Sequence, residues 1–125
     1  MKGIKKKILV IDDQVSTRKL LSKFLGDEFE IVEKSNGLEA LTSIEEGLEP
    51  DAVVCDLLMP EINGTDFLIK TQQNGKRQIP VLVLTSMESS VQKMTCLQLG
   101  ARDYMVKPFN PNELKIRLQN MIQFQ

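Results

Sequence analysis

The chain has 125 residues, 42% hydrophobic and 26% charged, with a formal net charge of −1 and no histidine. That is enough chain for one domain with a real core, and the charge balance gives no drive toward nucleic acid or an anionic membrane. The missing histidine excludes Ser/His/Asp and Cys/His catalysis and argues against a zinc site, so any chemistry must use carboxylates, hydroxyls, lysine or an oxygen-bound metal. No apolar stretch approaches the roughly 20 residues that a membrane helix needs. Only Ile8 to Ile11 separate the lysines Lys2, Lys5, Lys6 and Lys7 from two aspartates, which is no signal-peptide core. A cytoplasmic protein with no membrane contact is expected. The lysines read as a solvated lead into the first strand rather than as a nucleic-acid patch. Cys55 and Cys96 share no motif and lie in apolar sequence, so buried free thiols are expected.

Taken in order, Lys7 to Ile11 is a short β-branched run ending in Asp12-Asp13. Ser16 or Thr17 opens a helical pattern with Leu20, Leu21, Phe24 and Leu25 on one side and Gly26 as its stop. Glu30 to Lys34 is a brief strand. Asn36-Gly37 marks a turn or a helix cap before Leu38, Leu41 and Ile44, and this helix stops near Gly47. Asp51 to Asp56 is a strand whose apolar run, Ala52 to Cys55, drives into the Asp56 carboxylate, followed by a turn-prone loop with Pro60 and Asn63-Gly64. Thr65 to Asn74 reads as a helix with Phe67, Leu68 and Thr71 inward. Pro80 to Leu84 is an unbroken apolar run ending in Thr85-Ser86. Glu88 to Leu99 is predicted helical, with Val91, Met94 and Leu97 as its inner stripe and Gly100 closing it. Asp103 to Val106 is a last strand ending in Lys107-Pro108. Asn110 caps a final helix whose first position is Pro111, with Leu114, Leu118, Met121 and Ile122 inward. Strict alternation of strand and helix predicts an α/β domain with a parallel sheet over residues 1–125.

In such a sheet all strand ends point the same way, and ligands bind beyond them. Asp12, Asp13, Asp56, Thr85, Ser86 and Lys107 all end strands. Asp56 either caps the next segment at the surface or sits in a prepared polar site, and the other endings favour the site. Single endings have plainer readings: Asp12-Asp13 and Thr85-Ser86 as helix caps, Lys107 as a surface lysine. Three clustered carboxylates repel unless a cation joins them, and Mg²⁺ takes oxygen ligands of this kind. A carboxylate can be the nucleophile in phosphoryl transfer, with Mg²⁺, the Lys107 ammonium and the Thr85 hydroxyl neutralising the phosphoryl oxygens.

Five stretches carry a resemblance: Val10-Ile11-Asp12-Asp13, Val54-Cys55-Asp56-Leu57-Leu58-Met59-Pro60, Asn63-Gly64, Leu84-Thr85-Ser86, and Gly100-Ala101-Arg102-Asp103-Tyr104-Met105-Val106-Lys107-Pro108-Phe109. In spacing and order the chain resembles the receiver domain of two-component response regulators, of the chemotaxis type, over essentially its whole length. The resemblance implies a flavodoxin-like, doubly wound (βα)5 fold with strand order 2-1-3-4-5. It implies that Asp56 accepts a phosphoryl group from a histidine kinase or histidine phosphotransfer protein. It places Mg²⁺ on Asp13, Asp56 and the Leu58 backbone carbonyl, with Asp12 acting largely through water. Lys107, Thr85 and Ser86 then bind the phosphoryl group, Thr85 and Tyr104 act as the switch, and the Lys107–Pro108 bond is cis.

The face made by helix four, strand five and helix five would meet a downstream protein target or output domain. A phosphorylation-dependent dimer there is a further option, with Asp103 and Arg117 at ion-pairing positions and Arg102 breaking the usual acidic pair. Such a protein catalyses only its own phosphorylation and slow dephosphorylation and is not otherwise an enzyme. Leu58 and Met87 occupy slots that border the attacking water in this family and are often polar, so slow self-dephosphorylation is expected. The alternatives are a pseudo-receiver that acts as an unphosphorylated interaction module and an aspartate-nucleophile phosphohydrolase. The latter usually carries a second aspartate where Leu58 stands. The chain is read either as a single-domain regulator or as a receiver excised from a longer protein.

Overall fold

The computed structural model describes residues 4–58, 63–73 and 78–123. Lys2, Met59, Pro60 and Asn74, named above, lie outside them. Five strands and five helices alternate: β1 (Lys7–Ile11), α1 (Val15–Leu25), β2 (Glu30–Lys34), α2 (Gly37–Glu45), β3 (Ala52–Cys55), α3 (Gly64–Gln73), β4 (Val81–Thr85), α4 (Ser90–Gln98), β5 (Asp103–Val106) and α5 (Pro111–Gln123). The strands form one parallel sheet in the order β2-β1-β3-β4-β5. This is the doubly wound flavodoxin-like topology that the resemblance implies.

Both faces of the central strands are covered, so their sequences are apolar throughout. Successive side chains still alternate between faces. Leu9, Ile11, Val53, Cys55, Val81 and Val83 pack with Ala40, Phe67, Leu68 and Cys96 from α2, α3 and α4. Ile8, Val10, Ala52, Val54, Leu82 and Leu84 pack with Leu21 and Leu25 of α1 and with Leu114, Leu118 and Met121 of α5. Helices α2 and α5 begin on asparagine caps: Asn36 accepts from the Glu39 N–H at 2.8 Å and Asn110 from the Glu113 N–H at 3.0 Å. Those oxygens satisfy amides that the helix cannot. Asn63 does the same for α3, accepting from the Asp66 N–H at 2.9 Å, so it is a cap rather than part of a free turn.

The inward faces of α3 and α5 agree with expectation. The others differ in part. In α1 only Leu21 and Leu25 are buried, and Leu20 and Phe24 are exposed. This helix also starts one residue before Ser16. In α2 Leu38 is exposed, and Gly37 and Ala40 are buried in its place. The largest difference is α4, which starts only after the Ser89 cap and turns Val91, Met94 and Leu97 outward; Cys96 is its one buried residue. Cys96 is the residue through which α4 joins the core cluster, beside Tyr104 of β5.

Candidate functional site

Three backbone bonds fix the strand ends that carry the polar residues. The Asp12 N–H reaches the Lys34 carbonyl at 3.2 Å, the Asp56 N–H reaches Ile11 at 3.1 Å, and the Lys107 N–H reaches Thr85 at 2.8 Å. Asp12, Asp56 and Thr85 are all buried. Two buried carboxylates this close would be costly without a counter-charge. The Lys107 ammonium supplies it, donating to Asp12 Oδ2 at 2.9 Å and to Asp56 Oδ2 at 3.0 Å. Burial alone would lower the Lys107 pKa, but its hydrogen bonds to Asp12 and Asp56 and their charges outweigh it and hold the pKa above the ordinary lysine value. The remaining carboxylate oxygens accept backbone N–H groups two residues on: Gln14 to Asp12 at 2.9 Å and Leu58 to Asp56 at 3.1 Å. Both aspartates thus close the same kind of side-chain turn, which fixes their rotamers.

Gly64 holds the second of these turns from outside. A Cβ there would lie 2.6 Å from the Asp56 carbonyl oxygen and 2.7 Å from the Leu57 Cα. Only glycine lets the start of α3 sit this close to the Asp56–Leu57 peptide, where its N–H bonds the Leu57 carbonyl at 3.0 Å.

Thr85 lies beside this centre and connects it to a loop. Its hydroxyl oxygen accepts from the Met87 N–H at 3.3 Å, which leaves its own proton free to donate elsewhere. Buried Tyr104 donates to the Met87 carbonyl at 2.7 Å. Burial, with Cys96 and Asp56 nearby, raises the Tyr104 pKa, so this donor stays protonated. Thr85 and Tyr104 therefore grip one residue, Met87, from its two ends.

The remaining predicted residues stand at the margin. Asp13 and Ser86 are exposed on the rim, and Leu58 is exposed as well. The Lys107–Pro108 peptide is cis. Asp103 and Arg117 pair with each other at 2.7 Å, and Arg117 also reaches Glu113 at 3.2 Å. Cys55 and Cys96 are buried free thiols, and burial, with the Asp56 and Asp12 charges at Cys55, raises their pKa values. They are packing groups rather than nucleophiles.

The donor set for a metal is all oxygen and mostly carboxylate, which suits Mg²⁺. Among the described residues no three candidate metal-ligand side chains converge on one point. Asp12 and Asp56 meet through Lys107, and Asp13 adjoins them through its backbone. The chemistry of the residues fits the ion, with Asp12, Asp56 and the exposed Asp13 as the carboxylates that would hold it.

The family model for the response regulator receiver domain matches residues 8–119. The chain belongs to the response regulator receiver family. Over 121 residues it is 39% identical to the probable transcriptional regulator ycf27 of Cyanophora paradoxa, covering 95% of this chain and 49% of that protein. It is 36% identical over 119 residues to the alkaline phosphatase synthesis transcriptional regulatory protein PhoP of Bacillus subtilis, covering 94% and 49%. The chain thus spans about half the length of the curated relatives it matches. Among solved structures it superimposes on the Vibrio cholerae chemotaxis protein CheY4 with a TM-score of 0.85 and 32% identity, covering 94% of this chain and 99% of that one. Among the receiver's described residues, no helix is long and apolar enough to cross a membrane.

Two residues that bond or crowd the backbone of Asp12 and of Asp56–Leu57 escape a reading of the sequence. Gly64 reads as a turn glycine, and its role depends on a backbone contact across the fold. Arg18 reads as one more basic residue on a solvated helix face. Only the parallel pairing that sets Glu33 opposite Val10, beside α1, reveals its partner.

Proposed function

We propose that this receiver takes a phosphoryl group on Asp56 from the phosphohistidine of a kinase or phosphotransfer protein. The observation that carries this reading is the single ammonium, Lys107, shared between two buried carboxylates at 2.9 and 3.0 Å. An Asp56 oxygen attacks phosphorus, the P–N bond of the donor breaks, and its electron pair returns to the imidazole nitrogen. Asp56 is buried, its rotamer is fixed by the Leu58 N–H, and its attacking oxygen is poised at the end of β3. Lys107 lies beside that oxygen and meets the charge of the incoming phosphoryl group. Thr85 offers its free hydroxyl proton, and Ser86 stands next to it on the rim. Asp13, Asp56 and the Leu58 carbonyl, with Asp12 through water, would hold Mg²⁺, which supplies a second positive charge to the phosphoryl oxygens.

Thr85 would carry the signal outward. Drawing its hydroxyl toward a phosphoryl group strains its bond from Met87, and Met87 is also held by Tyr104. The loop before α4 then moves and alters the α4–β5–α5 face, where Val91, Met94 and Leu97 already stand exposed for a target or output domain. Leu58 is exposed and apolar, so no side chain at that position orients an attacking water, and the phosphorylated form decays slowly. Met87 is half-buried against the core, which makes Leu58→Asn the cleaner test of lifetime. It should shorten the lifetime, and an unchanged decay would refute this part.

The whole reading is tested with acetyl phosphate and Mg²⁺, followed by intact mass. One phosphoryl group is expected on the wild type and none on Asp56→Asn. A wild type that stays unlabelled would point to an unphosphorylated interaction module, and catalytic turnover of phosphate esters would point to a phosphohydrolase.

A further inference from the structure

Arg18 sits one turn into α1 and reaches back to the rim. Its Nη1 donates to the Asp12 backbone carbonyl at 2.7 Å, and its Nε lies 3.5 Å from Glu33 Oε1. Glu33 stands on β2, and its other oxygen accepts from Ser22 Oγ at 2.8 Å and from Lys19 Nζ at 3.3 Å. Ser22 and Lys19 lie on the same helix as Arg18. The Arg18 and Glu33 side chains are only 14% and 23% exposed, so the guanidinium is held in the seam between α1 and β2.

The carbonyl that Arg18 grips belongs to the peptide joining Asp12 to Asp13. The same residue is fixed at its N–H by the Lys34 carbonyl and at its side chain by the Gln14 N–H and Lys107. A peptide plane pinned at its oxygen by a charged donor cannot turn without losing a strong bond. Among the described residues no hydrogen bond or ion pair holds the exposed Asp13 carboxylate, so its place depends on that backbone. A helix tie alone would need only the Glu33 pair, yet the shorter bond goes to the rim.

We infer that Arg18 is a positioning residue: aimed by Glu33, it sets the Asp12–Asp13 peptide and so the point from which Asp13 reaches a divalent cation. This rests on Asp13 being a metal ligand of the phosphoacceptor site.

The test is calorimetric titration of Mg²⁺ into the full chain, for the wild type, Arg18→Ala, Arg18→Lys and Glu33→Gln, with thermal unfolding alongside. Arg18→Ala is expected to weaken Mg²⁺ binding about tenfold, the scale of one charged hydrogen bond. Arg18→Lys keeps one donor and recovers part of the loss, and Glu33→Gln loses less. Acetyl phosphate labelling of Arg18→Ala should return to the wild-type rate once Mg²⁺ is saturating. An Arg18→Ala protein that melts earlier but binds Mg²⁺ as tightly as the wild type overturns the inference and leaves a merely structural tie. Should Arg18→Ala fail to fold, unchanged Mg²⁺ affinity in both Arg18→Lys and Glu33→Gln overturns it equally. A wild type that binds no Mg²⁺ removes the phosphoacceptor reading and this inference together.

Discussion

The rim of the sheet and helix α4 break the apolar-inside rule in opposite directions. At the rim, Asp12, Asp56 and Thr85 are buried, and among the described residues no buried side-chain polar atom lacks a partner. On α4, Val91, Met94 and Leu97 face outward, and the helix is anchored by Cys96 and its Ser89 cap. The rim is held by one ammonium shared between two buried carboxylates, so removing that ammonium is expensive. Helix α4 is attached by little, so its outer residues can change at small cost to the fold. One region is built to hold a geometry, and the other leaves an apolar stripe uncovered.

The widest gap between the two regions should appear on removing the shared ammonium. Lys107→Ala leaves two buried carboxylates facing each other and is expected to cost about 3 kcal/mol in urea unfolding. Excess Mg²⁺ should return part of that by binding the folded state alone. Equal stability with and without the lysine would show that the rim is not held by charge. Gly64→Ala comes next, because its Cβ meets backbone atoms that cannot yield freely. About 2 kcal/mol is expected, with slower labelling of Asp56 as its carbonyl is displaced. On α4 a paired comparison is the sharper probe. Cys96→Ser puts a hydroxyl into the core and should cost about 1–2 kcal/mol, and Met94→Gln should stay within about 0.5 kcal/mol. If Met94→Gln proved the costlier, the stripe would pack inward in solution, as the sequence pattern suggests.

That last contrast also explains where a sequence can be read and where it cannot. Strands β1, β3 and β4 were legible because a sheet covered on both faces demands near-continuous apolar runs, and each of these runs stops on a polar residue. Asn36 and Asn110 were legible because a cap acts on amides three residues away. The facing of α4 was not, since Val91, Met94 and Leu97 have the spacing of an inner stripe and nothing local records that Cys96 marks the side that meets the sheet. Leu20 and Leu38 mislead for the same reason: a helix on a five-stranded sheet buries a narrower stripe than its apolar residues could fill. At the site, the residues at the strand ends could be listed in advance, but not their pairing. That Lys107 joins Asp12 to Asp56 follows from the order β1-β3-β4-β5, and Arg18 and Gly64 act through backbone atoms that no side-chain pattern encodes.

The smallest expected effect lies at Glu33, which joins the rim to α1. Burial alone would raise its pKa, but the Ser22 hydroxyl, the Lys19 ammonium and the Arg18 charge more than offset this, and the net shift is below the ordinary 4.5. A carboxyl with a depressed folded pKa adds stability that is complete above its unfolded value and is lost as pH falls through the folded one. Glu33→Gln should therefore cost about 0.5–1 kcal/mol at neutral pH, the scale of a partly exposed pair. The difference from wild type should shrink below about pH 4.5 and vanish once both chains carry a neutral side chain there. Lys107 has the opposite sign, since its raised pKa keeps its contribution intact until pH climbs past the ordinary lysine range of 10.5. A Glu33→Gln penalty that grew on acidification would mean that the carboxyl is destabilised where it stands, and Arg18 would then be aimed by something other than Glu33.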